Sequence, residues 1–338
     1  MAEPTVSAGY AKSLVDLALA KGADQALLLE RARIDPDDLL DPESRLPFER
    51  FKALMYVAKA LCDEPALALH FGEGTFFVEM SIVGLICRAA ETMTEAFAQM
   101  NRYARLVIEV QGHESGDRFA IVRNDGKVWI EDRRRSPNDF PELTESTWAR
   151  FVCEDARYFP HRPPFVKAVH VTHEAPPYRA EYDRILKAPV VFNSDKNALL
   201  IDESWLSRKL GSTNRYVFGI FSERADALLK GLKDSNTVRG RVEALLIPIL
   251  HTGETNMERI SRMMGLSRPT LYRLLKTEGV NYENLLDDLR HKMALHYLNG
   301  NRVSVSQTSY LVGFSDPSAF SRAFKRWTGS PPGLRRAI

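Results

Sequence analysis

The sequence predicts an α+β N-terminal domain, made of helices plus a small antiparallel sheet. It is joined to an all-α C-terminal domain with two helix-turn-helix motifs. Three observations predict this. Apolar residues recur at three- and four-residue spacing through the first hundred residues. The period shortens to two around residues 119–130. After Arg239 the helical period returns to the end, and two segments there share one turn grammar. A length of 338 residues suits about two domains, and 44% hydrophobic with 27% charged residues suits a folded, soluble chain.

The elements follow in chain order. Leu14, Leu17 and Ala18 share one helical face, and Phe51, Leu54, Met55 and Ala58 share another. Asp35-Pro36-Asp37-Asp38 and Asp41-Pro42 punctuate these helices as turns. From Thr92 a helix places Ala96, Met100, Tyr103 and Val107 together. Phe119 to Val122, Asn124-Asp125-Gly126 and Val128 to Ile130 read as strand, turn and strand. Glu142 to Tyr158 is helical again. Val166 to Val171 and Ala198 to Ile201 are strands around a helix near Tyr182 to Leu186. We set the first domain at 1–205 and a linker at 206–237. In that linker Ser212-Thr213-Asn214 reads as loop, Val217 to Lys230 as helix and Lys233 to Asn236 as polar connection. The second domain is 238–338.

Within it, the units at about 255–276 and 303–326 are built alike. Each has a short amphipathic helix, a Gly–apolar–Ser turn and a basic second helix. Gly265 and Gly313 suit the left-handed conformation that ends the first helix. Ser267, and Ser315 or Asp316, suit the cap of the next, and Pro269 and Pro317 fall in its first turn, where a missing N–H costs little. Leu271 with Leu274 and Leu275, and Phe320 with Phe324, form the buried face. The outer face carries Arg268, Tyr272, Arg273 and Lys276 in one copy and Ser318, Ser321, Arg322 and Lys325 in the other. An apolar face that anchors a helix while its outer face meets base edges is the logic of major-groove reading. Tyr282 to Leu298, with Leu285, Leu289, Ala294 and Leu298, suits a rigid connecting helix.

Charge divides the same way. Residues 236–338 hold 15 Lys/Arg against 8 Asp/Glu, net +7, and residues 1–235 are net −5. A basic third on an acidic remainder points to a polyanion-binding module. No apolar run approaches the ~18 residues of a membrane helix, so no membrane partner is expected. Lys12 and Asp16 interrupt the only apolar stretch that could act as a secretion signal. Cys62, Cys87 and Cys153 lie far apart without a CxxC and read as buried free thiols of a reducing cytoplasm.

The stretch of roughly 237–336 resembles the DNA-binding domain of AraC/XylS-type transcription regulators. The string Gly313 to Pro331, leading into a Gly-x-x-Pro, is similar to the family signature. Ser261 and Ser309 stand where a small Ala is usual, and Leu334 where an aromatic precedes Arg335. The segments Tyr178 to Tyr182, Pro189 to Phe192 and Asn197 to Ile201 resemble the arabinose-binding-like N-terminal domain found in regulators such as those of ornithine utilisation.

The resemblance implies a cytoplasmic, ligand-responsive DNA-binding regulator, an activator by family habit. Its partners are double-stranded DNA across two successive major grooves and a small-molecule effector of unknown identity. It also implies a homodimer and admits RNA polymerase as a partner. Arg273 and Arg322 are assigned to guanine edges, since a planar fork pairs bidentately with O6 and N7. Arg268, Lys276, Lys325 and Arg326 are assigned to phosphates. Tyr272, Ser318 and Ser321 meet base edges or phosphates. Pro269 and Pro317 occupy early recognition-helix positions that often read bases. Phe314 and Trp327 read as core.

No cofactor, metal or catalytic residue is assigned. His170 and His173 sit at an odd offset that on a strand would face opposite sides. Arg133-Arg134-Arg135 reads as a solvated turn, with an anionic-partner site as its alternative. GxSxG, P-loop, HExxH and GxGxxG patterns are absent, so an enzyme is not expected. Three other readings stand beside this one: a regulator that responds to no metabolite and is controlled by abundance or a protein partner, an enzyme whose N-terminal domain does chemistry while its C-terminal domain docks it on DNA, and a gas or haem sensor using an N-terminal histidine.

Overall fold

A computed structural model of the protein describes residues 3–110, 117–210, 215–235, 237–299 and 303–333, without the side chains of 233–235, 296 and 299. The expectations for 212–214, Asn236, Leu334 and Arg335 lie outside the described residues. The chain forms two compact units, Glu3–Leu229 and Lys230 onward.

The first unit opens with β1 (Thr5–Ser7) and α1 (Ala8–Ala20), then α2 (Gln25–Ala32), β2 (Arg45–Pro47) and α3 (Phe48–Leu61). Four helices follow: α4 (Leu67–Gly74), α5 (Phe77–Met80), α6 (Ile82–Ala89) and α7 (Met93–Val107). Ser7, Asp24 and Thr92 cap α1, α2 and α7 with their side chains. Buried Phe51, Leu54, Met55 and Ala58 give α3 its core face. The antiparallel pair β1–β2 had no counterpart in the sequence reading, because three-residue strands show no usable alternation.

A five-stranded sheet comes next, in the order β3–β4–β7–β5–β6. Its strands are β3 (Phe119–Asn124), β4 (Lys127–Asp132), β5 (Val166–His170), β6 (Val190–Val191) and β7 (Asn197–Ile201). Asp125 and Gly126, both at positive φ, form the two-residue turn of the β3–β4 hairpin. The sheet is mixed rather than wholly antiparallel. Between β5 and β6, α9 (Arg179–Leu186) carries the chain back, so β6 enters parallel to β5. Trp148 and Val152 of α8 (Pro141–Tyr158) share a core with Ile130, Val169 and Leu199 of the sheet. The long helix α10 (Arg215–Ser235) follows.

The second unit is helical: α11 (Val238–Leu246), α12 (Met257–Met263), α13 (Arg268–Thr277), α14 (Tyr282–Asn299), α15 (Val305–Leu311) and α16 (Pro317–Thr328). One core unites it. Leu271 and Leu275 of α13 and Phe320 and Phe324 of α16 join Leu285, Leu289, Ala294 and Leu298 of α14. Both helix pairs are thus held against the same connecting helix.

Candidate nucleic-acid interface and N-terminal cavity

The two helix-turn-helix units owe their shape to local chemistry. Asn256 accepts from the Arg259 amide at 2.9 Å and starts α12. Ser304 and Gln307 form a reciprocal capping box at the start of α15. Gly265 and Gly313 follow these helices at φ of +67° and +80°, where an L side chain is strained. Ser267 caps α13, and Asp316 caps α16 by accepting from the Ser318 and Ala319 amides at 2.8 and 2.9 Å. Between the two residues offered for the second cap, the structure selects Asp316, whose carboxyl these amides hold below its usual range.

Ser261 and Ser309 are both fully buried, at matching places in the two units. Their hydroxyls donate to the carbonyls three residues back, Glu258 at 2.9 Å and Ser306 at 2.7 Å. A buried hydroxyl satisfied in this way costs little. A serine can therefore stand where a small alanine is usual.

Arg268, Pro269, Tyr272, Arg273 and Lys276 lie exposed on α13. On α16, Ser318, Arg322, Lys325 and Arg326 are exposed, and Pro317 and Ser321 half-buried. Among the described residues, no carboxylate forms an ion pair with Arg268, Arg273, Lys276, Arg322 or Lys325. Arg326 differs: its guanidinium meets Asp287 of α14 at 2.5 Å, and Trp327 Nε1 donates to the same carboxylate at 3.4 Å. One expectation is corrected. Leu274 is 36% exposed beside Tyr272 at 56%, so Leu271 and Leu275 alone bury α13. Leu274, three residues from Leu271, falls at the rim of the buried stripe, where spacing alone does not tell core from surface.

Other contacts that hold the C-terminal helices together had no signal in the sequence. Arg290 of α14 donates through Nη2 to Thr255 Oγ1 and to the Gly313 carbonyl, each at 3.4 Å, and lies over the Phe314 ring. Tyr282 donates its hydroxyl to the Thr255 carbonyl at 2.8 Å. Glu278, just after α13, accepts from the Val238 and Arg239 amides that open α11. These contacts bridge distant sequence and leave no local pattern.

The first unit contains a cavity of about 150 Å³ beneath α6, α7 and α8. Its walls are mainly apolar, with Phe77, Met93, Phe97, Met100, Phe119 and Phe151 among them. Arg150 and Glu154 of α8 also line it. Burial pushes the Glu154 carboxyl up, while the Phe77 amide that donates to it, and nearby Arg150 and Arg157, pull it back. Cys87, which also lines the cavity, has its thiol pushed up by burial, as have Cys62 and Cys153. The three cysteines are half-buried as residues, and none is the low-pKa thiol that a redox switch needs.

Two further expectations change. Arg134 is a core residue, not part of a solvated turn. It and Arg118 share Asp132, at 2.8 and 3.1 Å, with all three side chains buried. Burial opposes ionisation of Asp132, but the two guanidiniums override it and hold the carboxyl at about 2. His170 ends β5 and hydrogen-bonds Ser194 at 2.9 Å, while His173 lies beyond the strand and meets Tyr182 at 3.1 Å. Among the described residues no cluster of three or more His, Cys, Asp or Glu could hold a metal. Tyr178 and Tyr182 both donate to Glu145 Oε1, at 2.8 and 2.6 Å, which explains the tyrosine spacing in that segment.

A mixed α/β unit with an apolar cavity, followed by paired helix-turn-helix units on one core, defines a DNA-binding regulator with a separate N-terminal domain. Residues 22–210 match the model of the arabinose-binding domain of AraC transcription regulators, N-terminal, and residues 260–337 match a helix-turn-helix domain model. The first match alone spans more than half the chain, and the protein belongs to the AraC family of transcription regulators. It is 27% identical over 333 residues to the ornithine utilization regulator of Pseudomonas aeruginosa, covering 97% of this chain and 95% of that one. It is 33% identical over 106 residues to the HTH-type transcriptional regulator VirS of Mycobacterium tuberculosis, 31% of each chain. The crystal structure of transcriptional regulator CdpR from Pseudomonas aeruginosa matches with a TM-score of 0.39 at 22% identity, over 92% of this chain and 96% of that one. The family and these relatives are transcription regulators, not enzymes. Among the described residues no helix is long and apolar enough to cross a membrane.

Proposed function

We propose that the protein is a sequence-specific transcription activator that reads double-stranded DNA in two successive major grooves and responds to a small molecule bound in the N-terminal cavity. One observation carries the DNA reading: the same capped helix-turn-helix is built twice on one core, each copy ending in a helix with cations on its solvent face. Between the copies runs α14, of 18 residues. It is about 27 Å long at the helical rise, comparable to the ~34 Å repeat of major grooves on one DNA face.

In this reading Arg273 and Arg322 contact guanine edges. Arg268, Lys276 and Lys325 hold phosphates, and Tyr272, Ser318 and Ser321 make the remaining contacts. Arg326 reaches a phosphate only by leaving Asp287. The activating sign draws on a relative named as the transcriptional activator NphR of Rhodococcus, 34% identical over 96 residues, 28% of this chain and 29% of that one. A cytoplasmic homodimer that engages RNA polymerase completes the proposal.

For signalling, α10 offers the route. Its Phe218 packs on a cluster formed by Ala96, Leu210, Cys87, Met93 and Phe159, and these five residues also line the cavity. An effector that binds one arrangement of this cluster better than another shifts the population of α10 positions.

The test is selection of bound sites from a random duplex library by the full-length protein at fixed salt. The proposal expects an enriched sequence of two blocks about ten base pairs apart. Recovery of no preferred sequence, with binding that collapses as salt rises, contradicts it.

A further inference from the structure

Arg150 is unusual among the buried cations of the first unit. It is 8% exposed and lines the cavity. Its Nη1 and Nη2 donate to the hydroxyls of Tyr10 at 3.4 Å and Thr75 at 3.1 Å, and its guanidinium carbon lies over the Tyr10 and Phe71 rings at 5.3 and 5.1 Å from their centres. Its Nε has no hydrogen-bond partner among the described residues. No ion pair joins Arg150 to Glu154, one turn further along α8, whose carboxylate accepts from the Phe77 amide instead. A buried guanidinium with an unpaired N–H and no bound carboxylate is costly, which makes it a receptor for an anion.

The surrounding charges lean the same way. Asp155 on the cavity wall is matched by Arg208. Arg118 shares its single carboxylate, Asp132, with Arg134. Arg88 lies over the Tyr158 ring and donates to the Leu210 carbonyl, with no ion-pair partner among the described residues. Arg88, Arg118 and Arg150 thus line the cavity against Glu154 and Asp155, and its mainly hydrocarbon walls carry an excess of guanidinium. A cavity of about 150 Å³ admits a benzene-sized body.

We propose that the cavity binds a small, mainly hydrocarbon monocarboxylate, aromatic or short-chain, whose carboxylate is received by the Arg150 guanidinium while the hydrocarbon lies against the phenylalanine and methionine walls. This rests on the reading of the cavity as the effector site. Polar sugars and polycations fit it poorly: the walls leave their hydroxyls or ammonium groups unpaired.

The test is calorimetric titration of the full-length protein with phenylacetate, phenylacetamide and toluene. The acid and the amide have nearly the same shape and differ in charge. The proposal expects phenylacetate to bind about ten- to a hundredfold more tightly than the amide, the usual range for a charge-assisted contact. Arg150→Gln should remove that preference, and Arg150→Lys should keep part of it. The acid–amide comparison in the unsubstituted protein holds even if an Arg150 variant fails to fold. Equal binding of acid and amide, both abolished by the cavity-filling Ala96→Phe, overturns the carboxylate inference and leaves the cavity reading standing. Failure of all three probes to bind, or binding indifferent to Ala96→Phe, overturns both.

Discussion

A β-carbon placed on Gly313 would stand 2.2 Å from the carbonyl oxygen of Leu250. The turn of the second helix-turn-helix is thus pressed against the segment preceding α12, and only glycine fits. Gly265, its counterpart in the first unit, shares the left-handed φ but would meet nothing within 4 Å. Alanine at Gly265 should cost about 1 kcal/mol, the conformational penalty alone. Alanine at Gly313 should cost clearly more, because backbone must move as well. Denaturant unfolding of the two full-length variants separates these outcomes, and equal losses would show that the Leu250 contact yields without cost.

Replacing Arg322 or Arg273 with alanine should relax base preference at one position in the corresponding half of the site, at a cost of about 1–3 kcal/mol. Affinities for a set of single-base variants of the selected site measure this. A uniform loss across all sequences would assign that arginine to the phosphate backbone.

Lys325 and Arg326 are neighbours with different surroundings. Lys325 has no ion-pair partner among the described residues, whereas Arg326 is paired with Asp287. Lys325→Ala should lower the salt dependence of DNA binding by about one released counterion. Arg326→Ala should lower it by less, since its charge is already matched. Identical slopes for the two variants would mean that Arg326 abandons Asp287 on DNA.

Asp132 makes the first unit acid-sensitive. Its carboxyl is held at about 2 in the folded protein, below its ordinary 3.8. A depressed pKa contributes stability that is present in full above the unfolded value and is lost as pH falls through the folded one. Unfolding of the first unit should therefore become easier between about pH 4 and pH 2. Asp132→Asn should flatten that part of the profile and destabilise the unit at neutral pH by about 3–5 kcal/mol, because Arg118 and Arg134 then lose their shared counter-charge. A profile that does not change on substitution would remove Asp132 from the account.

What could be read in the sequence was what local chemistry determines. Gly265, Ser267 and Pro269 mark a turn and a helix start within five residues, and Asp125-Gly126 marks a hairpin by itself. Leu274 stands three residues from Leu271, a spacing that puts it at the rim of the buried stripe, and periodicity alone does not tell a rim position from a core one. Arg134 was misjudged because an arginine run reads as solvated until Asp132 and Arg118 are seen to close around it. The parallel strand β6, the Arg326–Asp287 pair and the surroundings of Arg150 all depend on residues far apart in sequence. Such pairings carry no period, and a single sequence does not reveal them.

The central claim, two recognition helices held on one core and reading successive grooves, is tested most directly by spacing. Once a preferred site is selected, inserting about five base pairs between its two blocks turns one block to the opposite DNA face. The account predicts that affinity of the full-length protein falls to that of a single block, and that inserting about ten base pairs restores little, because α14 fixes the separation. Undiminished binding to the half-turn insertion would contradict it.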